Sequence, residues 1–385
     1  MRFGVSFFMQ NYHDWERHSA RAFAEPAATA DHVIWDRALG LADLVEPLGF
    51  DSLWTVEHHF TPYTMVPNPL QFLTYMAGRT TKVDFGTMVV VLPWHDPVDV
   101  AEQIALLDVM LRGRQLTLGF GRGAGRVEFE GFRVPMAESR VRFAEALEVV
   151  RRALSQESFS FEGEYYHLPE MSIRPRPRDP QRLLDRMCQA WGSPETVRMA
   201  AEADLGPLFV PQKPWDEIRA EVDLYDAARA ELGKPAQKPI VACWVACFPT
   251  EDQAWDVAMR YMGNYNDSVL RHYELGDPQH FADTGVYDYY AERARRRAQV
   301  TAEQATKAFA ASQVWGTPER CLAALRHIRQ VTGAGELIGI FDFGGIPIEL
   351  AEDSMRRFAA EVLPRVHAGE LEVDAAADAL PASAD

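Results

Sequence analysis

Short apolar runs alternate with stretches of helical periodicity along almost the whole chain, and no other feature restricts the fold as much. Runs at 2–8, 51–56, 83–92, 115–120, 186–191, 205–210, 240–248 and 337–343 read as strands. Residues 31–48, 70–79, 97–112, 140–154, 194–203, 215–232, 250–265 and 348–366 read as helices. The run from Val83 to Leu92 is too continuously apolar for a half-exposed strand, as expected of a parallel sheet covered on both faces. Eight strand–helix units in 385 residues predict a (β/α)8 TIM barrel with insertions rather than an open sheet. One barrel domain is expected over 1–368, with insertion loops near 10–30, 156–182 and 274–308. The Ala/Asp-rich remainder, 369–385, reads as a disordered acidic tail.

The chemistry is expected at Asp51-Ser52-Leu53-Trp54-Thr55-Val56-Glu57-His58-His59-Phe60. There a strand ends in one carboxylate and two imidazoles, and in such barrels the carboxyl ends of the strands carry the active site. Adjacent residues of an extended segment point to opposite sides. One histidine can therefore face a pocket while its neighbour is held by hydrogen bonds. A purely structural histidine pair is the alternative. No metal is expected, because His-Glu-x-x-His spacing is missing and the sequence shows no second cluster of ligands.

Gly119-Phe120-Gly121-Arg122-Gly123-Ala124-Gly125-Arg126 follows a strand and combines four glycines with two arginines. Glycines let backbone amides approach an anion, and a guanidinium can grip phosphate bidentately. Ala124 stands where a dinucleotide fingerprint has its third glycine, so that motif is not matched. Ser193-Pro194-Glu195-Thr196 opens a helix with an N-cap and Pro at N1, a second place for an anion. Together they suggest one phosphate held between neighbouring strands; a plain glycine turn and a plain N-cap are the alternative.

Fifty-six acidic against 39 basic side chains, a formal charge of −17, argue against nucleic acid and anionic membrane as partners. Local basic runs such as Arg293-Ala294-Arg295-Arg296-Arg297 must then have local reasons. Cys188, Cys243, Cys247 and Cys321 include no C-x-x-C and read as reduced core residues. No signal segment or apolar run of membrane-spanning length is seen, so a soluble cytoplasmic protein is expected.

With these residues in view, the chain resembles the luciferase-like flavin-dependent monooxygenases, most nearly the catalytic (alpha) subunit of bacterial luciferase. The likeness runs from Met1 to about Val366. It is carried by Glu57-His58-His59-Phe60-Thr61 with Asn68-Pro69, Gly86-Thr87 with Val91-Leu92-Pro93, Arg122-Gly123, Ser139-Arg140, Gly263 with Tyr265 and Asp267-Ser268, and Gly316-Thr317-Pro318-Glu319. The resemblance implies a barrel that takes reduced FMN from a separate flavin reductase. Dioxygen then reacts at the flavin C4a carbon, and a small, largely apolar organic substrate (aldehyde, ketone or terpenoid-like) is oxygenated. It implies His58 as the catalytic histidine with His59 and Glu57 beside it, and Arg122 and Arg140 as the phosphate-binding arginines, to which the residue pattern itself adds Gly123 and Ser193. Met88-Val89 matches a cis peptide beside the flavin, and Tyr265 stands where luciferase has a tryptophan near the ring. Gly121 replaces its reactive cysteine, and Trp191-Gly192 replaces its Glu-Ser.

An apolar aromatic pocket is expected from Phe7, Phe8, Trp54, Phe60, Trp94 and Trp191. A mobile lid is expected over 274–308, and a homodimer is the expected assembly. Two other readings stay open: a deazaflavin-dependent hydride-transfer enzyme of the same fold, and a non-catalytic flavin-binding or subunit-partner protein.

Overall fold

The computed structural model describes residues 1–191, 194–275, 287–297 and 299–372. All eight expected strands form. Numbered along the chain with the additional ones, they are β1 (Arg2–Phe7), β2 (Ser52–Thr55), β3 (Asp84–Val91), β4 (Leu116–Gly121), β7 (Met187–Ala190), β8 (Gly206–Phe209), β9 (Ile240–Cys247) and β11 (Glu336–Ile340). Each pairs in parallel with its neighbours, and β11 returns onto β1, with Gly4 facing Ile338 on one side and Ser52 on the other, so the sheet closes into a (β/α)8 barrel. Closure leaves no free edge along these strands. β10 (Val314–Gly316) lies beside the carboxyl end of β9, and β5 (Phe159–Glu162) and β6 (His167–Met171) make an antiparallel hairpin inside the 156–182 excursion. These three are too short to show a period in the sequence.

The barrel interior explains two glycines. A Cβ on Gly86 would lie 2.3 Å from the Trp54 ring, and one on Gly4 2.8 Å from it, so the indole occupies the space their missing side chains leave. Trp54 Nε1 donates to Ser52 Oγ (2.8 Å), which donates to Glu336 Oε1 (2.6 Å), while Arg2 pairs with Asp84 (2.8 Å). Trp54 is thus barrel filling rather than pocket lining, a correction to the sequence expectation. Alternation put its side chain inside the barrel but could not say at which level.

Several helices start where a polar cap meets a proline. Asn68 accepts from the Gln71 amide before Pro69–Arg79, Asp96 from the Val98 amide before Pro97–Leu111, and Thr317 caps Pro318–Thr332, which ends at Gly333 with φ +69°. Helices that escaped the sequence reading include Arg126–Phe132, Ala302–Ala310 and Pro318–Thr332. The first matters most, because it carries Glu128. The expected helix at 250–265 runs on through one π-helical turn at Ala258–Met262 into Gly263–His272. Of the expected tail, 373–385 lie outside the described residues, while Leu371 is buried and Arg329 pairs with Glu372 at 2.9 Å. Of the expected lid, 276–286 and 298 lie outside the described residues, while Asp288–Arg297 and Ala302–Ala310 are helical.

Candidate active site

The chain leaves β2 at Thr55 and turns at once, so Glu57, His58 and His59 sit at the carboxyl mouth of the barrel. This segment is tied down on both sides. The His58 amide donates to Val66 O (3.2 Å), the Met65 amide to Phe8 O (3.2 Å) and the Asn11 amide to Pro62 O (3.1 Å), which joins it to the loop after β1.

The two imidazoles diverge as the alternation predicts. His58 lines a cavity of about 270 Å3 formed by the ends of β2, β3, β4, β7 and β8. His59 turns away, with Nε2 3.0 Å from Glu57 Oε1 and its ring against Phe132 and Trp94. Each histidine belongs to a separate carboxylate-centred network. Glu57 is buried and receives His59, His95 Nε2 (2.5 Å) and the Val91 amide (2.7 Å). Glu128 is buried, and its Oε1 accepts from His58 Nδ1 (3.0 Å) and the His59 amide (2.9 Å), while its Oε2 lies 3.4 Å from His272 Nε2 as a charge pair without a hydrogen bond. The sequence expectation that no clustered ligand set exists is corrected here. Glu57–His59–His95 and His58–Glu128–His272 are both assembled, each completed by residues 36 or more positions further along the chain; the first is joined by hydrogen bonds, the second by the His58–Glu128 hydrogen bond and the Glu128–His272 charge pair.

Electrostatics fixes the proton arrangement. Burial pushes the Glu128 carboxyl up, but His58 and His272 outweigh it and bring it down from 4.5 to about 2. Burial also pushes Glu57 up, and the hydrogen bonds from His59, His95 and Val91 reverse this to a net lowering. Burial lowers His272, an effect Glu128 only partly offsets. An ionised Glu128 only accepts hydrogen bonds, so His58 Nδ1 carries the proton it shares with that carboxylate. His58 Nε2 is then left beside the cavity with the Tyr273 hydroxyl at 3.4 Å. Behind these rings Tyr63 stacks on His272, and its hydroxyl lies 2.9 Å from that of Tyr265.

The depressed Glu128 acid predicts acid lability with a defined sign. A carboxyl lowered on folding stabilises the protein above its unfolded value near 4.5, and that stability is lost as pH falls towards 2. The shift corresponds to about 3 kcal/mol. Urea unfolding of the wild type and Glu128→Gln should show a stability difference at pH 6 that shrinks by pH 3. A difference independent of pH would remove Glu128 from the account.

The Gly-rich segment behaves differently from a bare anion cradle. A Cβ on Gly119 would meet Thr87 O at 2.1 Å, one on Gly121 would meet Val89 at 2.4 Å, one on Gly123 Trp94 at 2.8 Å, and one on Gly125 Glu128 at 2.4 Å. Protein groups fill all four spaces. Gly123 also has φ +77°, and its carbonyl accepts from the Tyr287 hydroxyl at 2.8 Å. Arg122 lines the cavity, its guanidinium 4.6 Å above the Tyr287 ring. Arg126 is engaged by Glu130 and Glu274 instead.

The remaining expected residues divide. Met88 and Val89 line the cavity, and their peptide is cis, as expected. Gly123 lines it too. Arg140 stands off the wall, paired with Glu195 at 2.7 Å. Tyr265 is packed behind the site against Trp244, with ring centroids 4.4 Å apart. Ser193 lies outside the described residues, although Thr196 of its helix reaches the cavity. Of the expected aromatic pocket, Trp94 and Trp191 line the wall, Phe7 and Phe8 are core, and Phe60 is exposed.

Glu128, His272, Tyr273, His95, Tyr287 and the wall pair Lys213–Glu221 were missed. Only the fold could gather them.

A closed barrel with a buried His–carboxylate pair at the carboxyl mouth, beside a cavity of mixed apolar and charged lining, has the layout of a barrel enzyme. The chain belongs to the luciferase-like monooxygenase family, whose description it matches over residues 1–335. It is 27% identical over 322 residues to the alkanal monooxygenase alpha chain of Aliivibrio fischeri, spanning 82% of this chain and 89% of that one. In fold it is similar to the oxygenating constituent of 3,6-diketocamphane monooxygenase from Pseudomonas putida, a type II Baeyer-Villiger enzyme in complex with FMN. The TM-score is 0.70, with 19% identity over 95% of this chain and 98% of that one. An F420-dependent secondary alcohol dehydrogenase shares the fold at TM-score 0.66, with 17% identity over 94% of this chain and 98% of that one.

Proposed function

We propose that this protein is the oxygenating component of a two-component monooxygenase that uses reduced FMN and dioxygen on a small, largely apolar organic substrate. The observation that carries the reading is His58, whose Nδ1 is committed to a buried ionised carboxylate while Nε2 is left at a cavity wall. A non-catalytic binding protein has no use for that arrangement.

The cavity residues suit a flavin mononucleotide. Val89, Trp191, Leu208 and Phe209 offer apolar surface to a flat ring, and Arg122 offers charge-assisted donors to a phosphate. When bound, the reduced flavin supplies the electrons that activate dioxygen. This chain's share is to hold the ring against Met88 and Val89, to keep water out with Trp94 and Trp191, and to accept or return a proton at His58 Nε2. Arg140 would join the phosphate by exchanging its Glu195 partner, from the start of the same helix that carries Thr196. Glu57 and His59 hold the strand end from behind.

The deciding experiment is anaerobic titration with reduced FMN, then admission of air. Stoichiometric binding followed by oxygen consumption supports the reading. Binding of a reduced deazaflavin with no reaction towards oxygen would replace it with the hydride-transfer reading. Arg122→Ala should weaken reduced FMN by about tenfold or more, the scale of one charge-assisted contact. An unchanged dissociation constant would put the phosphate elsewhere.

The reductase is a separate protein in this reading, and the setting is the cytoplasm. All four cysteines are free and buried, and no helix among the described residues is long and apolar enough to cross a membrane. Self-association into a homodimer is supported by Tyr75, Leu106 and Met110, large apolar side chains exposed on two adjacent helices.

A further inference from the structure

We propose that a second cavity, sharing Gln212 and Lys213 with the first, binds an amphipathic organic acid, its carboxylate met by Arg296 and Arg297 and its apolar body running towards the shared wall. This cavity of about 540 Å3 lies among the turn after β8, the helix Gly263–His272 and the helices Asp288–Arg297 and Ala302–Ala310. Its body is apolar, with Trp215, Val269, Leu270 and Phe309 among its walls. Its size falls within the range of small-molecule sites.

The charge on its rim has one sign. Lys213, Arg296 and Arg297 line it, and no aspartate or glutamate does so among the described residues. In a chain with 56 acidic against 39 basic side chains, that bias needs a local cause. Among the described residues, neighbouring acids neutralise it only in part. Glu292 alone serves both Arg295 (3.1 Å) and Arg296 (3.2 Å), and such exposed helical pairs are weak. Arg297 donates to Val300 O at 3.0 Å, which occupies only part of a guanidinium's five donors. Lys213 differs, being matched by Glu221 where both face the first cavity. Arg296 and Arg297 line this cavity and not the first, so their charge lies off the shared wall. A neutral apolar molecule would gain nothing from it, whereas a carboxylate gains bidentate contacts. The common wall at Gln212 and Lys213 directs the other end of the molecule to the candidate active site.

Naming this acid as the substrate rests on the monooxygenase reading; its binding does not. The test is calorimetric titration of the full chain, without cofactor, using 4-phenylbutyrate and 4-phenyl-1-butanol, with the part of the tryptophan fluorescence change that Trp215→Phe removes as a second signal. The acid should bind about tenfold more tightly than the alcohol, as one charge-assisted contact implies. Arg296→Gln/Arg297→Gln should abolish that advantage while leaving alcohol binding unchanged. Ala308→Phe, at an exposed position lining the cavity, should remove both. Equal binding of acid and alcohol, binding of neither, or an advantage that survives in the double variant would overturn the proposal. Acid bound as expected without oxygen consumption in the presence of reduced FMN would leave the site standing and sink the monooxygenase reading. Oxygen consumption without acid binding would do the reverse.

Discussion

Replacing His58 by alanine is expected to lower product formation by about 10²–10⁴, the range for losing a positioned acid–base group. Affinity for reduced FMN should stay nearly intact, because the phosphate contacts are assigned to Arg122 and the helix carrying Thr196. The effect should be large because His58 is held on both sides: Glu128 fixes Nδ1 at 3.0 Å, and Tyr273 lies 3.4 Å from Nε2. Alanine leaves the carboxylate in place with nothing to orient. Glu128→Gln should reproduce part of the loss and shift the pH profile, since the amide stabilises a protonated imidazole less well. His59→Ala should be milder, because that ring faces Glu57 and Phe132 rather than the cavity. The measurement is product yield against pH, with oxygen uptake followed in parallel. Full turnover of His58→Ala with an unaltered pH profile would make the strand-end pair structural.

The second large effect concerns stability. Glu57→Ala should destabilise the fold by about 3–5 kcal/mol, the cost of removing one member of a buried charged network. Glu57 receives three donors from three segments: His59 beside it, the Val91 amide at the end of β3, and His95 from the turn after it. Alanine strands the Val91 N–H and leaves His95, raised by Glu57 against the lowering effect of burial, without its counter-charge. Glu57→Gln keeps one acceptor and should cost less. Urea unfolding with an unchanged m value would read the difference. A Glu57→Ala protein within about 1 kcal/mol of wild type, the size of one ordinary hydrogen bond, would show that the network contributes little.

The barrel was legible in the sequence because its strands are buried on both faces, which makes most of them predominantly apolar runs. Their side chains had no choice of environment. The strand end at Glu57-His58-His59 was legible for a related reason: three polar residues directly after such a run must lie where the sheet meets solvent. The divergence of His58 and His59 followed from backbone alternation alone. What failed was local structure whose stability comes from elsewhere. Helix Arg126–Phe132 has only seven residues and a glycine start, too short to show a period, and so Glu128 went unseen.

Residue spacing also could not say which group would fill a space. The glycines of 119–125 looked like room for an anion, but Thr87, Val89, Trp94 and Glu128 take that room, and each comes from a side chain or backbone brought in by the fold. By itself the sequence determined the closed barrel, the mouth at which chemistry would sit and the family's histidine, because periodic burial is a local property of the chain. Only the tertiary structure decided that His58 answers to Glu128 and His272, that Arg126 and Arg140 are held in ion pairs while Arg122 reaches the wall, and that a cationic rim faces an apolar cavity. Those partners are 70 or more residues apart for His58 and Glu128, and closing so long a loop is repaid only when the whole barrel closes.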